Sequence, residues 1–157
     1  MTHPVRIEAP EGLPYIDITR ELDAPPARVF AAHADPALVA RWMGPDGLET
    51  DITEWDFVSG GRWSFRQTEP GGESYGFRGT FHTVRPDELA IQTFEFLGFP
   101  DVVSVETLRF VDLGDGRTRL ETHSVYPTVA ARDGMISSGT ERGVTQGYAR
   151  LDTILAG

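Results

Sequence analysis

At 157 residues the chain fits a single domain that buries about two-thirds of the surface its unfolded form exposes. Its 24 acidic residues outnumber 14 arginines, with no lysine, for a net charge of −10; that balance excludes a basic stripe for nucleic acid and attraction to an anionic membrane surface. The absence of cysteine excludes disulfides and thiol catalysis, and no apolar run approaches the ~20 residues that span a bilayer.

The N-terminus, Met1 to Arg6, lacks the apolar core of a signal peptide, so a cytoplasmic protein is expected. Residues 1–14 contain three prolines and little periodicity, which predicts a loosely tethered arm before a single domain over 15–157. Tyr15 to Leu22 alternates as a first strand. Asp23-Ala24-Pro25-Pro26 stops it and opens a short helix that gathers Val29, Phe30 and His33; a second short helix follows Asp35-Pro36, carries Leu38, Val39 and Trp42, and ends at Gly44-Pro45.

From residue 48 to 126 the turn signals divide the chain into a six-stranded antiparallel meander. Trp63 and Phe65 share one strand face, and Tyr75, Phe77 and Phe81 share another, which gives the sheet an aromatic inner side. Asp115-Gly116 is the clearest hairpin signal. After Pro127, residues 129–155 read as one long helix with Val144, Tyr148, Leu151 and Leu155 as its apolar stripe. Gly139, Gly143 and Gly147, four apart, lie on one face of that helix. Each costs about 0.8–1 kcal/mol relative to alanine, so the strip needs close backbone approach or empty space. A hollow between helix and sheet is the expectation.

The order of strand, two short helices, six strands and long helix resembles the helix-grip fold of the START/SRPBCC superfamily, which includes the birch-pollen allergen. Within it the chain is similar to the bacterial family named for the activator of the heat-shock-protein-90 ATPase. The residues that carry the likeness begin with Ala24 to Phe30, Ala40-Arg41-Trp42 and Gly60-Gly61-Arg62-Trp63. They continue through Gly79 to Pro86, Gly116 to Leu120, Glu141-Arg142-Gly143, Gly147-Tyr148 and Arg150-Leu151-Asp152. The resemblance covers about residues 15–156. It implies an α+β fold: a curved seven-stranded antiparallel sheet, two short helices and one long C-terminal helix. It also implies an apolar cavity between helix and sheet, of the kind that binds lipids, hormones or polyketides elsewhere in the superfamily.

Candidate chemistry is sparse. His3 falls in the arm, His33 at the end of the first short helix, and His82 and His123 on strands, facing away from the aromatic side. None has metal-ligand spacing, so no metal and no cofactor are expected. No serine sits in a nucleophile elbow, and no catalytic residue is assigned. Arg109 is placed on an inner or rim position. The residues expected to line the cavity are Trp42, Trp63, Phe65, Phe77, Phe81, Tyr126, Gly139, Gly143, Gly147 and Tyr148, with the two tyrosines as polar anchors.

The leading expectation is a binding protein for a small apolar or amphipathic molecule, lipid- or polyketide-like. The acidity leaves a neutral or cationic small molecule, or a protein, as the expected partner. A polyketide cyclase or aromatase-like enzyme is the alternative, and a co-chaperone that activates a partner ATPase the second alternative. Exposed sheet edges admit a homodimer.

Overall fold

The computed structural model describes residues 3–157; Met1 and Thr2, the first two residues of the expected arm, lie outside it. Its strands are β1 (Arg6–Glu8), β2 (Tyr15–Leu22), β3 (Glu49–Trp55), β4 (Arg62–Thr68), β5 (Ser74–Arg85), β6 (Leu89–Phe96), β7 (Val103–Gly114) and β8 (Arg117–Val125). The helices are α1 (Pro26–Ala34), α2 (Pro36–Trp42), α3 (Val129–Ser137) and α4 (Thr140–Ala156). All eight strands form one antiparallel sheet in the order β1-β2-β8-β7-β6-β5-β4-β3.

The strand count, the loose arm and the single C-terminal helix all need correction. The sheet has eight strands, not seven, because Arg6-Ile7-Glu8 of the arm pairs with Thr19-Ile18-Asp17 of β2. The arm is tied down further: Arg132 of α3, itself buried, donates from Nη1 to the Pro10 and Tyr15 carbonyls. His3 of the arm is half-buried, with Nε2 2.9 Å from the Asp23 carboxylate.

The C-terminal helix, expected as one, is two. At the end of α3 the Ser137 hydroxyl donates to the Asp133 carbonyl, and the Ser138 and Thr140 hydroxyls both donate to the Met135 carbonyl. Side chains that capture last-turn carbonyls compete with continuation of the helix. Gly139 follows in the left-handed region at φ 95°, which glycine enters without steric cost. It is a joint between helices and not part of a helical strip.

The other elements follow from local chemistry. Along β2 every second residue, Ile16, Ile18, Arg20 and Leu22, is buried. Pro26 and Pro36 sit at the starts of α1 and α2, where no amide hydrogen is needed. The Asp35 carboxylate accepts from the Ala37 amide as cap of α2. Asp115 and Gly116 both have positive φ, as a two-residue hairpin turn requires. Bulges at Ile52/Glu54, Phe81/Thr83 and Asp112/Gly114 bend the strands.

Packing divides the inner side into three regions. Leu151 and Leu155 of α4 pack with Leu22, Val29, Trp42, Leu108, Phe110 and Leu120. Rings of Trp63, Phe65 and Phe81 form a second cluster with Trp55, Phe57, Phe77 and Phe94 against them. Ile16, Ile18 and Tyr126 meet Ala131 and Met135 of α3 and Val144 and Tyr148 of α4 in the third.

Candidate functional site

Strand register builds a polar row into the inner face of the sheet. Gln92 of β6 stands opposite Glu106 of β7, and Glu106 stands opposite Ser124 of β8. The row is flanked by apolar partners, Phe81 opposite Gln92 on β5 and Ile16 opposite Ser124 on β2. Gln92 Nε2 donates to Glu106 Oε1 at 3.0 Å, and Ser124 Oγ donates to Glu106 Oε2 at 3.1 Å. Burial pushes the Glu106 carboxyl above its ordinary range, and the two donors only partly offset the shift.

Two phenols approach the same carboxyl. Burial and the Glu106 charge push Tyr126 well above the usual phenol range. Burial pushes Tyr148 up to about 12, with Glu106 adding to the shift and Thr122 and Arg20 acting against it. Both therefore stay protonated at neutral pH and offer O–H donors. Tyr148 also stacks on Trp42, ring centroids 6.0 Å apart, while Trp42 Nε1 donates to the Ala32 carbonyl.

A buried ion pair closes one side. Arg20, 2% exposed, reaches from β2 to α4 and holds Asp152 through two hydrogen bonds, at 2.9 and 2.5 Å. Its Nη1 also donates to the Glu21 carbonyl, and its buried Nε has no partner among the described residues. On the other side the rings run Trp63–Phe65–Phe77, with centroid separations of 5.4 and 5.0 Å, and Phe94 lies 5.6 Å from Phe77. Trp63 Nε1 is likewise unpartnered and buried, and it lies against Gly79, where a Cβ would come within 2.5 Å of it.

Of the residues expected at the cavity, Trp42, Tyr126 and Tyr148 flank the polar row, and Phe77 carries its aromatic wall toward the β4–β6 hairpins. Trp63, Phe65 and Phe81 are buried in the ring cluster. The glycines stand elsewhere. A Cβ on Gly143 would meet Pro45 Cδ at 3.7 Å, and one on Gly147 would come within 2.9 Å of the Trp42 carbonyl oxygen. Both turn toward the α2–β3 connection, so Gly147 serves close backbone approach. There the Arg150 side chain binds the Gly44 carbonyl and the Asp46 carboxylate, and Gln146 Oε1 accepts from the Asp46 amide.

The histidines are dispersed. His82 and His123 are exposed on the outer face, His123 beside Asp17. His33 is buried, its Nδ1 2.8 Å from the Val29 carbonyl and its ring edge-on to Trp42 and Phe110; burial lowers it to about 4. Among the described residues no three His, Asp or Glu side chains converge where a metal could sit. Arg109 is exposed, because its parity on β7 is opposite to that of the buried Leu108 and Phe110. A separate open cleft of about 390 Å³ lies at the β4–β6 hairpins, bordered by Arg66, Glu73, Tyr75 and Leu97.

The profile of the family described as activator of Hsp90 ATPase homolog 1-like protein matches residues 23–156. The chain belongs to that family. Solved structures share the architecture. A Rhodobacter sphaeroides protein is 24% identical over 98% of this chain and 99% of its own, with a TM-score of 0.88. A Mycobacterium smegmatis protein is 24% identical over 98% of both chains at 0.84. An AHSA1 protein of Silicibacter pomeroyi is 23% identical over 90% of this chain and 97% of its own at 0.74. At these identities the likeness shows the fold. No curated protein matches the chain. No helix of the described residues is long and apolar enough to cross a membrane.

Gln92, Glu106, Ser124 and Thr122 escape a search for motifs because they lie on three strands, 14 and 18 residues apart along the hydrogen-bonded row. One signal was available: Glu106 shares the parity of Leu108 and Phe110, so an acidic residue falls on an apolar face.

Proposed function

We propose that the protein binds a small apolar or amphipathic molecule, lipid- or polyketide-like, between α4 and the sheet. One observation carries the reading. Gln92, Phe94, Glu106 and Thr122 of the inner sheet face, and Val144 and Tyr148 of α4, keep accessible surface, although Thr122 and Glu106 interact with Tyr148 across the gap between sheet and helix. A solid core leaves none, as at Phe81, Leu120 and Leu151, which are 0%, 1% and 0% exposed. Glu106 makes the point most clearly. It is enclosed deeply enough for burial to raise its carboxyl, yet it retains accessible surface. Both are met when that surface borders an internal hollow. Apolar walls with a few convergent polar groups are what small-molecule sites are made of.

A neutral naphthalene-type fluorophore should bind one-to-one at micromolar strength with an emission rise, and Thr122→Trp, which fills the space in front of Tyr148, should weaken it. Emission that stays at its buffer value while the protein is folded refutes the reading.

The cyclase-type alternative gains from the same geometry, because Glu106, Tyr126 and Tyr148 bring a proton acceptor and two proton donors together. A carboxyl with a raised pKa suits general acid–base work. Binding alone needs nothing more than the cavity and ranks first. Activation of a partner ATPase, the role in the family's description, ranks third.

A further inference from the structure

Glu106 is held as an acceptor. Gln92 Nε2 and Ser124 Oγ point one donor at each of its two oxygens, and both donors are neutral. Each oxygen keeps one lone pair free, and the accessible surface of the residue lies on the inner side of the sheet.

What faces Glu106 from the surrounding elements does not neutralise it. Tyr148 of α4 and Tyr126 beyond β8 are uncharged phenols. Arg20 of β2, the buried cation of this face, is committed to Asp152 of α4 and to the Glu21 carbonyl. Among the described residues Glu106 therefore has no ion-pair partner. A buried carboxylate without a counter-charge is costly, and its remaining lone pairs call for N–H donors that carry positive charge.

Two further features agree with a cation. Tyr148, backed by the buried Trp42 ring, stands beside the row, and Phe94 and Phe77 continue it; these three rings keep accessible surface that can receive an ammonium and an apolar body. The net charge of −10 raises the local concentration of cations and lowers that of anions.

We propose that the ligand is a hydrophobic amine whose protonated nitrogen pairs with Glu106, its apolar body lying along Phe94 and Phe77. The ammonium donates to the free lone pairs of Oε1 and Oε2, and the Gln92 and Ser124 donors stay in place. The proposal rests on the cavity reading above and adds the chemical class of the head group.

The test keeps the two apart. With the neutral naphthalene-type fluorophore as reporter, decylamine, 1-decanol and decanoate are titrated as competitors into the full chain and into Glu106→Gln. The amine should displace the reporter at least ~tenfold more tightly than the alcohol, and decanoate should be the weakest. In Glu106→Gln the amine should lose at least ~tenfold while the alcohol and the reporter change by less than about twofold. Equal displacement by amine and alcohol in the wild-type chain refutes the amine assignment and leaves the cavity standing. Equal loss of all ligands in Glu106→Gln also refutes it. A reporter that never binds refutes both.

Discussion

Gly147 and Gly143 are one helical turn apart on α4 and differ in what a methyl group would touch. On Gly143 it would meet Pro45 Cδ at 3.7 Å, an ordinary van der Waals distance. On Gly147 it would lie 2.9 Å from the Trp42 carbonyl oxygen and 3.4 Å from the Gly44 nitrogen, both main-chain atoms. Either substitution to alanine removes a helix penalty of about 0.8–1 kcal/mol. At Gly143 that gain stands alone, so Gly143→Ala should stabilise by about 1 kcal/mol. At Gly147 the methyl overpacks a backbone that Arg150 and Gln146 hold against the helix, at a cost of about 1–3 kcal/mol. The propensity gain is common to both, so the difference between the variants isolates the contact and should be about 1–3 kcal/mol. Urea denaturation with equal m-values measures it directly; in a chain of this size it corresponds to about 2–4 °C in Tm per kcal/mol. Two alanine variants of equal stability would show that the close approach at Gly147 is not what its missing side chain serves.

Other substitutions probe the buried charges. Asp152→Ala leaves Arg20 buried without its carboxylate and should cost about 3–5 kcal/mol, whereas the double variant Arg20→Met/Asp152→Leu should recover most of the loss in a denaturant melt. His33 stays neutral in the fold with a value lowered from 6.5 to about 4, so the unfolded chain takes up the proton first as pH falls. Its contribution, about 3 kcal/mol, is complete above 6.5 and is lost as pH falls toward 4, and His33→Gln should flatten that part of the stability–pH curve. Glu106 has the opposite sign: its raised value favours the fold below the ordinary carboxyl range and penalises it as pH rises. Glu106→Gln should therefore gain stability relative to wild type at pH 7 compared with pH 4, and an equal offset at both would contradict the assigned burial.

How far the sequence carried the fold depended on whether a signal was local. The alternation of Tyr15 to Leu22, the paired prolines at 25 and 26, the Asp35 cap and the Asp115-Gly116 turn each act within a few residues and each was legible. β1 was not, since three residues among prolines carry no period and take their structure from β2. The break between α3 and α4 was written in Ser137-Ser138-Gly139-Thr140, but the four-residue glycine spacing outweighed it. Spacing put Gly143 and Gly147 on one face and could not say what that face meets. The polar row is a property of register: nothing within β6, β7 or β8 alone says that Gln92, Glu106 and Ser124 touch. Arg109 was misplaced by one step of parity, which on a strand reverses the face.

Pairing of β2 with β8 joins Tyr15 to Val125 and Leu22 to Thr118, across roughly a hundred residues of chain. On the ribosome, at about 5–20 residues per second, β2 emerges about 5–20 s before its partner on that side exists. Until then only β1 can cover it, while Ile16, Ile18 and Leu22 face water. Arg20 waits longer still, because Asp152 lies beyond β8 in the chain. A strand with a buried arginine in its apolar face is a poor template for pairing with other nascent chains. The same residue that pins β2 to α4 in the finished fold thus guards that strand during synthesis.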